Sequence, residues 1–298
     1  MNIFIAGGTG FVGGHVIREL LGRGRRLRLL VHRRGAACEE VEQVEGDVTR
    51  PESFEQGIEG CGAVVNLVGI IRESPARGVT FERLHVQATA NLLAAAKRAG
   101  IRRYVQMSAL GTRPNAVSRY HRTKFRAEEL VRNSGLEWTI LRPSLIFGPQ
   151  DAFTTMLARQ LRLAPALPVI GNGLYRLQPI HAADVARCFA LALEMPAAIG
   201  RCYELCGNDR LTYVDMLDAI AAAMGRPAPF KPRLPLGAMK LIIQIMQVIP
   251  QFPITMDQLQ MLLEENICDC SWKQTFGFEP KGFREGIAEY IIARAAAA

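Results

Sequence analysis

Short apolar runs alternate with longer stretches of helical period through the first half of the chain. "NIFIAGG" precedes "GGHVIRELLGRG", and "LRLLVHR", "VEGDVT", "AVVNLVG", "RRYVQMSA" and "EWTILRPS" continue the strand-like series. Between them lie "RLHVQATANLLAAAKRAG" and "HRTKFRAEELVRNSG", both of helical period. The apolar runs lack strict alternation, so each strand must be covered on both faces. Separated by amphipathic helices, they predict a parallel sheet in a doubly wound α/β (Rossmann) fold. Such sheets bind ligands beyond the carboxyl ends of their strands, which directs attention to the strand-to-helix junctions.

Past residue 150 the regularity loosens into a helical run "DAFTTMLARQLRLA", a turn-rich "PVIGNGLYRLQPIHAADVARCFALALE", a strand "RCYELCG" and a helix "TYVDMLDAIAAAMG". This pattern predicts a nucleotide-binding domain over 1–150 and a smaller α/β lobe over 151–298, with "QPIHAADVA" returning to the side of the main sheet. A chain of 298 residues, 49% hydrophobic and 21% charged, buries a substantial core and is not disordered. The closing "RAAAA" is set aside.

The first strand runs into "IAGGTGFVGGHVI", which puts Gly7, Gly10 and Gly13 at G-x-x-G-x-x-G spacing on a strand-to-helix junction. Gly7 permits the tight turn, Gly10 lets backbone N–H groups approach a pyrophosphate, and Gly13 allows close packing of the helix. Thr9 adds a hydroxyl, while Phe11 and Val12 open the helix. The correct strand before and helix after argue for a dinucleotide site over a merely structural turn. Its specificity is declared at the end of the second strand, where a carboxylate would accept the ribose hydroxyls of NAD. Here the strand ends in His32-Arg33-Arg34. Two arginines and no acid suit a 2′-phosphate, so NADP(H) is preferred and NAD(H) is the second choice. The competing reading makes Arg33 and Arg34 solvated residues that open a loop.

In "SRYHRTKFRAEEL", Tyr120 and Lys124 stand four residues apart and share one helix face. A lysine charge stabilises a phenolate and lowers a tyrosine pKa from about 10, and the same ammonium can hold nicotinamide-ribose hydroxyls. Ser108, after "RRYVQM", offers a hydroxyl to polarise a substrate carbonyl. Spacing alone is modest evidence for such a pair, whereas its place after the fifth strand strengthens it.

The order "GGTGFVG", "GDV", "NLVG", Ser108, "YHRTK" and "LRPSLIFGP" resembles the short-chain dehydrogenase/reductase superfamily, in the extended or atypical branch that holds NAD-dependent epimerases and dehydratases. The resemblance covers roughly residues 1 to 225. Within that branch, "RLHVQATANLLAAAKRAGIRRYVQMSALG" and "FPITMDQLQMLLEENIC" are most similar to bacterial relatives of the nucleotide-binding accessory subunit of mitochondrial complex I. The resemblance implies that Ser108, Tyr120 and Lys124 are catalytic. It implies that Asp47 and Val48 flank the adenine, that Leu67, Val68 and Gly69 border the adenosine ribose, and that Pro143 to Ile146 abut the nicotinamide. His85 stands where many sugar-nucleotide members carry asparagine, which weakens a straightforward epimerase reading.

The stretch from Phe230 is strongly apolar. A helix over 237–249 would carry Lys240, Gln244 and Gln247 as one narrow polar stripe and would have to bury nearly all its remaining surface. It packs within the small lobe, or it offers an apolar face over 230–255 to a membrane surface or a respiratory partner, with Lys231, Arg233 and Lys240 suited to anionic lipid. The stretch is too short to span a bilayer, which takes about 20 residues.

The net charge of +8 comes mostly from scattered arginines, which argues against a nucleic-acid stripe. Seven cysteines without paired C-x-x-C spacing, and no secretory leader, lead to the expectation of a reduced, cytoplasmic setting with no metal site and cysteines acting as buried small hydrophobes. Two functions follow as expectations: an NADP(H)-dependent oxidoreductase or epimerase-like enzyme with a small-molecule substrate, or a nucleotide-binding structural or regulatory protein of a membrane assembly. A redox sensor that binds nucleotide without turnover shares the second expectation.

Overall fold

A computed structural model of the chain describes residues 1–32, 40–246 and 254–295. It divides into two compact units. The first takes Met1–Pro143, Ala182–Leu205 and Ser271–Gly277. In chain order its opening part runs β1 (Asn2–Ala6), α1 (Phe11–Gly22), β2 (Arg26–Val31), β3 (Glu42–Glu45), α2 (Glu55–Ile58), β4 (Ala63–Asn66), α3 (Ala88–Arg98), β5 (Arg103–Met107), α4 (Arg119–Arg132) and β6 (Glu137–Pro143).

The strand Arg201–Leu205 completes a seven-stranded sheet ordered Arg201–Leu205, β6, β5, β4, β1, β2, β3, every neighbour parallel. The doubly wound expectation holds. Register places Ala6 beside both Leu30 and Asn66, and Asn66 beside Gln106, so the carboxyl ends of the central strands finish level. Alternate residues of β1 serve opposite layers. Phe4 and Ala6 join Phe54, Leu92, Tyr104, Val131 and Ile140 in one buried cluster, whereas Ile5 faces the α1 side beside Ile17 and Leu29. On that second face α1 packs against the helix Ala182–Glu194, and Arg23 and Arg25 donate to Glu194 at 3.1 and 2.8 Å. Covering both faces explains why the strands read as continuous apolar runs rather than alternating ones.

The second unit holds Ser144–His181, Cys206–Cys270 and the chain from Phe278 onward. Helices Ala152–Leu163, Tyr213–Ala223 and Phe283–Ala295 enclose Phe147, Leu157, Leu161, Met216, Leu217, Ile220, Phe283 and Ile287. Asp151 caps the first of these helices, accepting from Thr154 N at 2.6 Å, and also accepts from Tyr290 Oη at 2.9 Å. That one buried carboxylate ties two helices together.

Of the two expectations for the apolar stretch after Phe230, complete packing within the small lobe is not what the chain adopts. Its helix spans Leu236–Met246 and buries only Met239 and Ile243, while Leu241 and Ile245 are 57% and 63% exposed. Lys231 is engaged by Asp218 at 2.6 Å. Gln247, Val248 and Ile249 of the predicted helix lie outside the described residues. None of the described helices is long and apolar enough to cross a membrane.

The cysteines also depart from a uniform set of buried thiols. Cys61 and Cys188 are buried as expected, but Cys202 is exposed, Cys270 is half-buried, and Cys206 and Cys268 form a disulfide across 62 residues of sequence. Spacing along the chain gave no sign of that pairing, because the residues that meet come from the end of a strand and from a distant loop.

Candidate functional site at the carboxyl ends of the strands

The loop after β1 folds as the glycine spacing predicts. Gly7 has φ +80°, and a Cβ there would stand 2.7 Å from Leu67 C and Val68 N, so only glycine lets this turn lie against the end of β4. A Cβ on Gly13 would meet the Gly8 carbonyl oxygen at 2.3 Å, so its bareness serves the loop rather than the strand. Gly10 precedes the first turn of α1 with extended backbone and no side-chain cap, and a Cβ there would come no closer than 3.4 Å to any neighbour. The first N–H groups of α1 are thus offered to an anion without a competing side chain, as a pyrophosphate requires. Thr9 is exposed, Phe11 is half-buried with its ring edge-on to His15, and Val12 is buried in the helix. The cradle fits the pyrophosphate of a dinucleotide.

Leu67 is buried, its N–H donating to Ala6 O at 2.8 Å. Asp47 accepts from Thr49 N and Thr49 Oγ1, both at 2.8 Å. Burial would raise the Asp47 pKa, but those hydrogen bonds and the charges of His32 and Arg50 outweigh it and hold the carboxyl below its ordinary value. Val48 belongs to the core beneath, its carbonyl accepting from Asn91 Nδ2 at 3.0 Å. Pro143 ends β6 and accepts from Leu110 N at 2.9 Å. Ile146 opens a two-residue strand of the second unit, paired with Ile180. Arg33 and Arg34 lie outside the described residues.

Tyr120 and Lys124 share the buried face of α4 with Thr123, Ala127, Glu128 and Val131. Ser118 caps the helix by accepting from His121 N at 3.2 Å, which fixes where that face begins. Lys124 is only 2% exposed, and its Nζ donates to Val68 O at the end of β4 and to Met107 O at the end of β5, each at 3.3 Å. Ser108 is the next residue after that second acceptor and is itself buried, with its Oγ 3.4 Å from Thr112 Oγ1. One ammonium therefore joins the predicted ribose-side strand end to the predicted catalytic serine.

The electrostatics differ from the simple expectation that Lys124 lowers the Tyr120 pKa. Burial pushes the Tyr120 phenol up to about 12 and the Lys124 ammonium down to about 8, the latter countered only in part by the charge of Glu128. Desolvation disfavours the charged form of each group.

His85 is a functional candidate of a different kind. It lies in a stretch of π-helix, Glu82–Gln87, that runs into α3, and it is 1% exposed. Thr123 Oγ1 lies near two main-chain carbonyls, Arg119 O and Tyr120 O, and 2.9 Å from His85 Nδ1. His85 Nε2 lies 3.3 Å from Ile70 N and 3.2 Å from Ile70 O, so the two ring nitrogens divide one donor and one acceptor role between Thr123 and Ile70. Burial and the Lys124 charge take the His85 pKa down to about 2, which keeps the ring neutral. Its ring meets Tyr120 edge-on, 5.3 Å between centroids, and stacks on Phe81 at 5.2 Å.

Residues 3–206 match the NAD dependent epimerase/dehydratase family. The chain belongs to that family. It is 30% identical over 256 residues to NADH dehydrogenase [ubiquinone] 1 alpha subcomplex subunit 9, mitochondrial, of Arabidopsis thaliana, covering 76% of this chain and 63% of that protein. It is 32% identical over 238 residues to the ceramide reductase of Caulobacter vibrioides, covering 78% of this chain and 72% of that one. The chain thus spans less than two thirds of the Arabidopsis relative's length. The solved structure of UDP-glucose 4-epimerase from Thermus thermophilus in complex with NAD superposes with a TM-score of 0.76 over the whole of both chains at 21% identity, a likeness of fold.

Within this epimerase/dehydratase fold, Asn66 is the residue that sequence reasoning passed over. Fully buried at the end of β4, it offers Nδ2 to Thr89 Oγ1 and Tyr104 Oη, both at 3.2 Å, and to Gln106 Oε1 at 3.0 Å. Its Oδ1 accepts from Val68 N at 3.0 Å. Asn66 therefore sets the direction of the strand end whose carbonyl receives Lys124. The available signal was two amides, Asn66 and Gln106, at the ends of adjacent apolar strands where hydrocarbon was expected.

Proposed function

We propose that this family member is an NADP(H)-dependent oxidoreductase in which Ser108, Tyr120 and Lys124 carry the proton chemistry on a small-molecule substrate. The observation that carries the reading is the placement of Lys124 Nζ between the carbonyls of Val68 and Met107, beside Ser108 and one helical turn from Tyr120. A bound nicotinamide supplies or accepts the hydride. Tyr120, held up to about 12, is protonated throughout the neutral range and is suited to give its proton to a substrate oxygen. The direction favoured is reduction of a carbonyl. Ser108 donates a hydrogen bond to the same oxygen, and Lys124 holds the nucleotide ribose. Arg33 and Arg34 would select the 2′-phosphate.

The test offers NADPH and NADH with carbonyl, quinone-like and sugar-nucleotide compounds to the purified protein. Turnover lost in Tyr120→Phe with NADPH affinity kept supports the reading. Absence of turnover in every class overturns it. Equal affinity for the two nucleotides, unchanged in Arg33→Ala, removes the NADP(H) preference.

A second reading has one observation in its favour. The exposed Leu241 and Ile245 face of the helix Leu236–Met246 suits a protein that binds nucleotide without turnover while docking on a respiratory or membrane assembly, and the Arabidopsis relative carries the name of a complex I subunit. Its location would then be peripheral at the inner face of a cytoplasmic membrane. Co-purification of tightly held nucleotide, together with no turnover, favours this reading.

A further inference from the structure

We propose that Cys206, Cys268 and Cys270 form a thiol–disulfide exchange site in which Cys270 opens an otherwise buried disulfide. Their three sulfurs lie within 4.8 Å of one another. Cys206 and Cys268 are bonded, and Cys270 Sγ stands 3.3 Å from Cys206 Sγ. The bonded cysteines are both buried, 0% and 7% exposed, whereas Cys270 is half-buried. Of the three sulfurs, Cys270 belongs to the residue that solvent reaches.

Two further features aim Cys270 at this task. Its φ is +61°, in the left-handed region that residues other than glycine rarely adopt, and only Gln150 shares that property among the described non-glycine residues. Such a conformation persists where the surroundings impose it. Gln178 is the surrounding group. Its Nε2 donates to Cys270 Sγ at 3.0 Å and to Gly207 O at 2.7 Å, while its Oε1 accepts from Cys268 N at 3.0 Å. Gly207 O, 3.4 Å from Cys270 Sγ, accepts from the thiol, and once the proton is lost the Gln178 amide donor remains to stabilise the thiolate that attacks disulfides.

The step conserves the disulfide. Cys270 loses its proton to solvent, and its Sγ attacks Cys206 Sγ. The Cys206–Cys268 bond breaks as the Cys206–Cys270 bond forms, and Cys268 Sγ leaves as a thiolate that takes up a proton. The new disulfide includes the accessible sulfur, through which an external dithiol completes a two-electron reduction and itself leaves as a disulfide. Ser144 Oγ donates to the main-chain O of Gln178 at 2.6 Å, which helps hold the backbone that carries this amide.

The full-length protein, purified without reductant and quenched with N-ethylmaleimide, is mapped by mass spectrometry. Two isomers are expected, Cys206–Cys268 and Cys206–Cys270, with label divided between Cys270 and Cys268. Reduction of the folded protein by dithiothreitol should be about tenfold slower in Cys270→Ser, whose remaining disulfide is buried. Cys268→Ser should still carry a disulfide, now Cys206–Cys270. Thermal melting and nucleotide binding verify that both variants fold, and the isomer map of the unaltered protein needs neither. A single isomer in the unaltered protein, or an unchanged reduction rate in Cys270→Ser, overturns the proposal. So does label on all three cysteines together with one equivalent of zinc, which would make the cluster a metal site.

Discussion

Lys124 Nζ lies 2.9 Å from the point where a Cβ on Gly69 would stand, so the glycine after β4 leaves the space that the ammonium fills. The threatened atom is the far end of a flexible chain, which can withdraw from an added methyl without moving the backbone. Withdrawal would sacrifice one of its two carbonyl hydrogen bonds, worth about 1 kcal/mol. Gly69→Ala is therefore expected to melt within about 1 kcal/mol of the parent while binding NADPH about fivefold more weakly, since about 1.4 kcal/mol is a factor of ten. Fluorescence titration beside a melting curve measures both. An unchanged affinity would detach Lys124 from the nucleotide.

His85 makes the fold sensitive to mild acid. Its pKa falls from an ordinary 6.5 to about 2 on folding, so between those limits the unfolded chain binds a proton that the folded one does not. The stabilisation is present above pH 6.5 and is lost as pH falls toward 2, at up to about 1.4 kcal/mol per pH unit. Urea denaturation at pH 6.5 and 4.5 should show the parent losing about 2 kcal/mol more than His85→Gln across that interval. Parallel losses would mean that the ring is solvated or already charged.

The sheet, the phosphate loop and the Tyr120–Lys124 face were legible because each is written in local sequence: apolar runs, glycine spacing and an i, i+4 pair. The π-helical turn at His85 was not, since "RLHVQATANLL" has an ordinary helical period and the partners of His85, Thr123 and Ile70, come from elsewhere in the chain. The high Tyr120 pKa also escaped, because burial is a property of the packed unit and not of spacing. The meeting of Cys206 with Cys268 and Cys270 depends on the loop near Asn266 returning to the strand pair at Gln178, where Gln178 N donates to Asn266 O at 3.0 Å. Nothing in the spacing of the cysteines encodes that return.

Asn66 gives a prediction that separates stability from chemistry. Truncation to alanine removes one of the two donors to Gln106 Oε1, leaving Tyr104 Oη, and leaves Val68 N without its acceptor inside the first unit. An unsatisfied buried polar group costs about 1–3 kcal/mol. Asn66→Ala should therefore be destabilised by at least about 2 kcal/mol in chemical denaturation, and it should also weaken nucleotide binding, because Val68 O carries Lys124. Asn66→Asp would keep the acceptor for Val68 N but lose the amide donor. Its nucleotide affinity should fall less than that of the alanine variant.

The exposed face of the helix Leu236–Met246 decides whether membrane association belongs to this protein. Leu241 and Ile245 lie one turn apart, both more than half exposed, and Arg233 and Lys240 nearby are exposed cations. Apolar side chains flanked by cations favour the interface of an anionic bilayer over a neutral one. The unaltered protein should co-sediment with phosphatidylglycerol vesicles and not with phosphatidylcholine vesicles, and raised salt should weaken the binding. Leu241→Asp with Ile245→Asp should abolish co-sedimentation while shifting stability by less than about 0.5 kcal/mol per site, because neither side chain is part of the core. If the unaltered protein ignores anionic vesicles, the apolar face is reserved for a protein partner, and the double variant then becomes the probe for that contact in membrane extracts.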